Sequence, residues 1–488
     1  MPPIASALRR PGDLSAREWS RAAYGYGVLA ALGLAYFLIR MPYQVSDDLG
    51  DILFVQSRSF WTILVNQITG EAFLRPVMWL QQKIFFELAP DGRYFATFKA
   101  FHVAQLLVVV VLFVRLLRIR RAIDAVVLPL ALAALFGLHT YNITMREAYP
   151  VNHFMSILAS CLAMVNLALS RGGWWRDVLA LLLLVYAIFM LETGLLVWVC
   201  LVTAYVLRWR GVSRTALVFA TLIVATYFVL RFVILDIGVP ALTERSSGYG
   251  FSVRETEELV ALFGHAPWTF YAYNVLCSTL TVLFSEPRAG TFRFTAFVIE
   301  GPIPPWAVVN LVTSSLSTAF ILVFAVRRMR RWRQEGLEHQ DGVLLLFVTV
   351  LAANAAISYP YTKDVVMSPA GAFYAAALFM GVRDAIERFG PGTPQRMAAV
   401  VAVPLLIMSA GWTLRTATLV ETMRETAFVN RSDWAVAEEY MDDQRPDWRE
   451  LHPDAERLAQ QLREEVIRMP VPQPYTLPRW TQRWFDQY

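Results

Sequence analysis

The chain is short of charge. Asp, Glu, Lys and Arg make up 17 % of its 488 residues, against 56 % for hydrophobic residues. An ordinary soluble domain carries about 25 % charged residues, so much of this exterior is not built to face water. Lysine is scarcer still, at Lys83, Lys99 and Lys363 only. The cationic charge is almost all arginine, a bias expected of a GC-rich bacterial genome. Cysteine occurs three times, at Cys161, Cys200 and Cys277, each inside an apolar run. No CxxC or Cys/His spacing accompanies them, which excludes a disulfide framework and a structural zinc site and leaves buried small hydrophobes. A Gly-rich phosphate cradle is also missing, as is a Rossmann pattern. The net charge of +5 is no nucleic-acid signal, because the arginines cluster in short loops between apolar runs.

What the chain has instead is apolar runs of roughly 20 residues, each able to cross ~30 Å of hydrocarbon. They are 24–39, 97–117, 124–140, 151–170, 177–190, 193–208, 215–236, 304–326, 342–358, 367–382 and 396–414. The expected fold is all-α: a polytopic integral membrane protein of about eleven transmembrane helices, and not a β-barrel. Arginine clusters fix the expected orientation. Arg115, Arg118, Arg120 and Arg121 follow one run; Arg171 and Arg176 follow another; Arg208, Arg210 and Arg214 a third; Arg327 to Arg333 a fourth. Placing all of them in the cytoplasm makes 268–285 a re-entrant or interfacial helix.

The expected organisation follows. Residues 1–21 form a cytoplasmic N-terminal segment leading into an uncleaved signal anchor. Residues 22–414 are the transmembrane domain. Within it, 41–95 is a first external loop with two amphipathic helices, and 237–303 is a large external region. Residues 415–488 are an external tail with an amphipathic helix near 453–468.

Ionisable residues near the spans are not spread evenly. Burying a charge at mid-bilayer costs at least about 2.5–3.5 kcal/mol. The exceptions here are Asp47, Asp48, Asp51, Arg75, Lys99, His102, Arg146, Glu147, His153, Glu192, Lys363 and Asp364. All fall at or near the external ends of runs, as if around a cavity opening at the outer leaflet. A transporter would place such groups near the midplane. Each alone has a plainer reading. Asp47 and Asp48 suit a solvated helix start, Arg75 an interfacial anchor, His102 a packed histidine, Glu192 a helix hinge, and Lys363 with Asp364 a surface ion pair. Their confinement to one face is what points to a site.

The order of these motifs resembles the GT-C superfamily of membrane glycosyltransferases, in its O-mannosyltransferase-like branch. A first span is followed by the acidic pair Asp47-Asp48. Then come Phe73-Leu-Arg75-Pro76-Val-Met-Trp79, Phe98-Lys99-Ala-Phe101-His102-Val, the hinge Leu191-Glu192-Thr193-Gly194, and Lys363-Asp364-Val-Val-Met-Ser368-Pro369-Ala-Gly371. The likeness covers roughly residues 22–384. The hinge has Leu191 where the family pattern has Lys, the Lys363-Asp364 order is reversed, and the tail lacks tetratricopeptide repeats.

The resemblance implies a GT-C-like fold in a bacterial inner membrane. It also implies a polyprenyl-phosphate-linked sugar as donor, and a glycan, lipid or protein acceptor on the periplasmic face. Asp47 would be the general base, with Asp48 orienting it or binding acceptor or metal. Arg75, Lys99, Arg146 and Lys363 would contact the donor phosphate, with His102, Glu147, His153, Glu192 and Asp364 as further substrate-binding residues. Helices around 268–285 would hold the prenyl chain. Transfer would invert the anomeric carbon. No cofactor is implied with certainty, and a divalent metal stays open. Two other readings stand beside this one: a transporter or flippase of lipid-linked sugar, and a non-catalytic cell-envelope assembly protein.

Overall fold

In the computed structural model, the described residues are 14–69, 74–89, 93–146, 151–236, 256–265, 268–284, 290–360, 362–388, 395–444, 446–451 and 453–470. They are helical, with no strand among them. The first helices are α1 (Ala16–Leu38), α2 (Gly50–Gln56), α3 (Phe60–Thr69), α4 (Pro76–Glu87) and α5 (Tyr94–Leu117). Next come α6 (Ala122–Gly137), α7 (His139–Arg146), α8 (His153–Ala168), α9 (Trp174–Ile188), α10 (Leu195–Val206) and α11 (Arg214–Phe228). Then follow α12 (Thr256–Phe263), α13 (Trp268–Phe284), α14 (Gly290–Glu300), α15 (Pro305–Glu335) and α16 (His339–Ile357). The last are α17 (Ser368–Arg388), α18 (Gln395–Ala435), α19 (Ala437–Gln444) and α20 (Ala455–Arg468).

Seven helices among the described residues are long and apolar enough to cross a membrane, or eight if the bent pair α6–α7 is one span. The runs 151–170, 177–190 and 193–208 fold as α8, α9 and α10, with 16, 15 and 12 helical residues. These are shorter than a full crossing, which is why the helices that qualify by length are fewer than the apolar runs. Large apolar side chains such as Leu29, Leu222 and Val233 are exposed on the outside, which suits a lipid solvent. The core is built around α17. Of the most apolar 18 residues within Asp364–Arg388, 94 % are buried, and α6, α15 and α16 pack against this helix.

The bundle has two chemically distinct ends. At one, arginines meet carboxylates from neighbouring helices: Arg121 with Glu387, Arg327 with Asp384 at 2.6 Å, and Arg328 with Asp341 at 2.7 Å. The loop after α10 joins them, with Gly211 N–H donating to the Ala168 carbonyl at 2.9 Å and Trp209 beside His339. This is the arginine end. At the other, the loop end, lie the first-loop helices and the tail.

The first loop holds three short helices, α2 to α4, where the sequence pattern suggests two. Ser57 to Ser59 breaks the stretch that reads as one amphipathic helix. The C-terminal region departs further. The apolar run ends at 414, but α18 continues to Ala435 as a 41-residue helix, about 60 Å long and so about twice the hydrocarbon thickness. Its outer part carries α19 and α20 onto the first loop. Trp434 Nε1 donates to the Tyr43 carbonyl at 2.8 Å, and Asn430 Nδ2 to the Pro42 carbonyl at 2.8 Å. The Glu465 carboxylate of α20 accepts the N–H groups of Phe95 and Ala96 at 3.3 and 3.2 Å. It thereby caps the first turn of α5, whose N-terminus favours an anion. Tail and first loop therefore share one end.

Candidate functional site

The acidic pair sits in a five-residue π-helical turn, Val45–Leu49, leading into α2. Wide turns of this kind are often found at functional sites. Asp48 is not a solvated helix start: it is 2 % exposed, and its carboxylate accepts the Gln44 N–H at 2.6 Å. The side chain of Asp47 lies outside the described residues. Lys99, one turn into α5, is also buried. Its ammonium sits over the Tyr43 ring at 4.1 Å, within electrostatic reach of Asp48. Nζ of Lys99 and the Tyr43 hydroxyl are both buried without a hydrogen-bond partner among the described residues. Burial, with Asp48 and Glu465 adding to it, pushes the Tyr43 phenol well above its ordinary value, so it stays protonated. A buried ammonium and a buried hydroxyl left over at one place call for a further partner.

His102 lies on the same face of α5 and meets the Tyr43 ring edge-on at 5.7 Å. Its Nε2 accepts the N–H of Asn152 at 3.2 Å. Asn152 joins several elements. Its Oδ1 caps α8 by accepting the Met155 N–H at 2.9 Å, its Nδ2 donates to the Thr144 carbonyl at 2.8 Å, and its own carbonyl accepts from Gln105 at 3.1 Å. His153, the next residue, lies within electrostatic reach of Arg75, Lys363 and Glu192.

Those residues form the second part of the site. Arg75 is the residue before α4, held by its N–H to Gln67 Oε1 at 2.9 Å, with Pro76 at the first helical position where no N–H is needed. Its guanidinium pairs with Glu192 through Nε and Nη2, at 2.7 Å for the shorter contact. Arg231 meets the same carboxylate at 3.0 Å and donates to the Tyr227 hydroxyl at 2.8 Å. Glu192 begins a single 3₁₀ turn between α9 and α10. A Cβ at Gly194 would stand 2.0 Å from the Ala187 carbonyl oxygen, so only glycine lets this turn fold back against the end of α9.

The third part is the 3₁₀ turn Asp364–Met367 that opens α17. Asn354 Nδ2 holds it by donating to the Val366 carbonyl at 2.9 Å, and Ser368 Oγ donates to the Thr140 carbonyl at 3.0 Å. Asp364 faces His139 Nε2 at 3.6 Å, both nearly fully buried. Arg146 ends α7, half-buried, and Glu147 lies outside the described residues.

The structure thus brings Asp48, Lys99 and His102 together around Tyr43. It joins Arg75 to Glu192 with His153 and Lys363 near them, and sets Asp364 against His139. Asn152 links the parts by touching α5, α7 and α8. Two residues were not in the sequence-based set. Arg231 had a signal, being an arginine inside the apolar run 215–236. His139 had none beyond its place at a bend. Among the described residues, no group of three His, Cys, Asp or Glu side chains is arranged to hold a metal ion. An apolar groove of about 660 Å³ opens between α1, α6 and α18, lined by Phe37, Phe136 and Val420 among others. Compared with family models, curated proteins and solved structures, the chain matches none of them. A reading of function therefore rests on the site.

Proposed function

We propose that the protein is a membrane glycosyltransferase that moves a sugar from a polyprenyl-phosphate donor to an acceptor hydroxyl at the loop end. The observation that carries this reading is Lys99, a buried ammonium with no hydrogen bond among the described residues, within electrostatic reach of the buried Asp48 carboxylate. Transfer from a lipid phosphate needs those two parts: a cation for the departing phosphate and a base for the attacking hydroxyl.

In this scheme the acceptor oxygen attacks the anomeric carbon while its proton passes to the acidic pair, Asp47 as base with Asp48 holding it in place. The bond from the anomeric carbon to the phosphate oxygen breaks, with an oxocarbenium-like transition state. The polyprenyl phosphate leaves with the bonding electrons as an anion, so no acid is required. Lys99 holds it, and Arg75 and Lys363 extend the cationic side. A single displacement inverts the anomeric centre. The groove between α1, α6 and α18 is an apolar surface suited to a prenyl chain, as an alternative to α13.

Purified protein incubated with polyprenyl-phosphate sugars tests this. Asp47→Asn and Asp48→Asn are expected to lose transfer by at least about 100-fold, the range ascribed to a positioned base, while donor binding persists. Full transfer by both variants removes the base assignment. Movement of lipid-linked sugar across vesicles by both variants, with no transfer by the wild type, favours a flippase.

A further inference from the structure

At the arginine end, a cavity of about 390 Å³ opens between α1, α5 and α8. Arg17 from the first turn of α1, Arg115 from the last turn of α5, and Arg118 and Arg120 just beyond it all line the cavity. Several other arginines at this end have carboxylate partners: Arg121 takes Asp124 and Glu387, Arg327 takes Asp384, and Arg383 reaches Asp124. The four cavity arginines have no ion pair or side-chain hydrogen bond among the described residues. The carboxylates nearest to them in sequence are engaged, Glu18 in capping Ser15 and Asp124 with the backbone N–H groups of Arg120 and Arg121. Arg118 also holds a left-handed φ of 52°, a conformation that non-glycine residues adopt at some strain. It ends α5 and turns the chain so that Arg120 returns to the same cavity.

Arg17, Arg115 and Arg120 are exposed and Arg118 is half-buried, so water screens part of their repulsion, yet four like charges around one small space still attract an anion. The N-terminus of α1 adds partial positive charge at the same place. We infer that this cavity binds the phosphate of an anionic membrane lipid. Its position selects a lipid over a soluble anion. The cavity lies where three apolar helices end, the level at which bilayer phosphates lie, and apolar Val114 and Leu169 complete its lining. Basic pockets between helices at this level suit anionic headgroups. The inference is independent of the chemistry proposed at the loop end.

The test uses the full chain in detergent and fluorescent phosphatidylglycerol, with phosphatidylcholine and inorganic phosphate as the other probes. The triple variant Arg17→Gln/Arg115→Gln/Arg120→Gln is compared with Arg171→Gln/Arg210→Gln/Arg214→Gln, which removes as many exposed charges elsewhere at this end. At about fivefold per arginine, the cavity triple is expected to weaken phosphatidylglycerol binding on the order of 100-fold. The control triple is expected to change it by less than about threefold. Should the cavity triple not fold, Arg115→Gln alone is expected to give about a fivefold loss. Equal loss in both triples would overturn the inference, as would equal affinity of the wild type for the two lipids. Displacement of phosphatidylglycerol by millimolar phosphate would overturn the lipid assignment and leave a soluble anion site.

Discussion

Glu192→Gln removes the one carboxylate that two guanidinium groups share. Arg75 lies 2.7 Å from it and Arg231 3.0 Å, and the three side chains are only 22, 21 and 10 % exposed in the order Arg75, Glu192, Arg231. Removing one partner of a buried pair costs about 3–5 kcal/mol, because a desolvated charge is left behind. Here two cations are left facing each other, which raises the cost, while partial exposure lowers it. The expected loss is about 2–4 kcal/mol of stability. Sodium dodecyl sulfate titration of the purified protein in mixed micelles, followed by tryptophan fluorescence, measures it. The double variant Glu192→Gln/Arg231→Gln removes the surplus cation as well. It is expected to be more stable than the sum of the single changes by about 0.5–3 kcal/mol. A single-variant loss below about 0.5 kcal/mol, or additive single and double changes, would refute the reasoning and reduce the triad to a solvated surface cluster.

Other parts of the fold give equally direct expectations. Gly194→Ala places a Cβ 2.0 Å from the Ala187 carbonyl and is expected to cost about 3 kcal/mol or more, read in the same titration; an unchanged midpoint contradicts the close approach. Trp434→Phe loses the bond to the Tyr43 carbonyl and should cost about 1 kcal/mol, whereas Trp434→Ala should cost about 3–5 kcal/mol. Both should speed proteolysis within the tail, α20 included. Burial raises the Glu465 carboxyl above its ordinary 4.5, despite the opposing backbone N–H groups. Desolvation of the charged form thus outweighs the N–H bonds it accepts, so docking of α20 is most stable below that ordinary value and weakens as pH rises through the raised one. Protease cleavage of the tail should accelerate across that interval in the wild type, and Glu465→Gln should remove the dependence.

The sequence reads well where one physical signal dominates. The amphipathic pattern near 453–468 becomes α20, Ala455–Arg468. Trp434 and Asn430, beyond the last apolar run, contact Tyr43 and Pro42 at the start of the first loop. Hydropathy fails as a ruler for helix length. The apolar run ends at 414, while α18 goes on because Arg415 finds the Gly137 carbonyl and Ser314 inside the protein and helix-forming residues follow it. The burial of Asp48 was illegible for a related reason. An acidic pair after a span looks solvated until residues nearly 400 positions away close over it, as Asn430 and Trp434 do on Pro42 and Tyr43. Arg231 was legible as an arginine in an apolar run, but its partner, 39 positions earlier at Glu192, was not.

The central claim is that Lys99 holds the phosphate of a lipid-linked sugar donor beside the acidic pair. A cryo-EM map of the protein with a bound polyprenyl-phosphate sugar tests it most directly. Phosphate density is expected about 2.7–2.9 Å from Lys99 Nζ, with the anomeric carbon toward Asp47 and Asp48. Lipid phosphate seated elsewhere, with Lys99 still closed over by Tyr43, would contradict it.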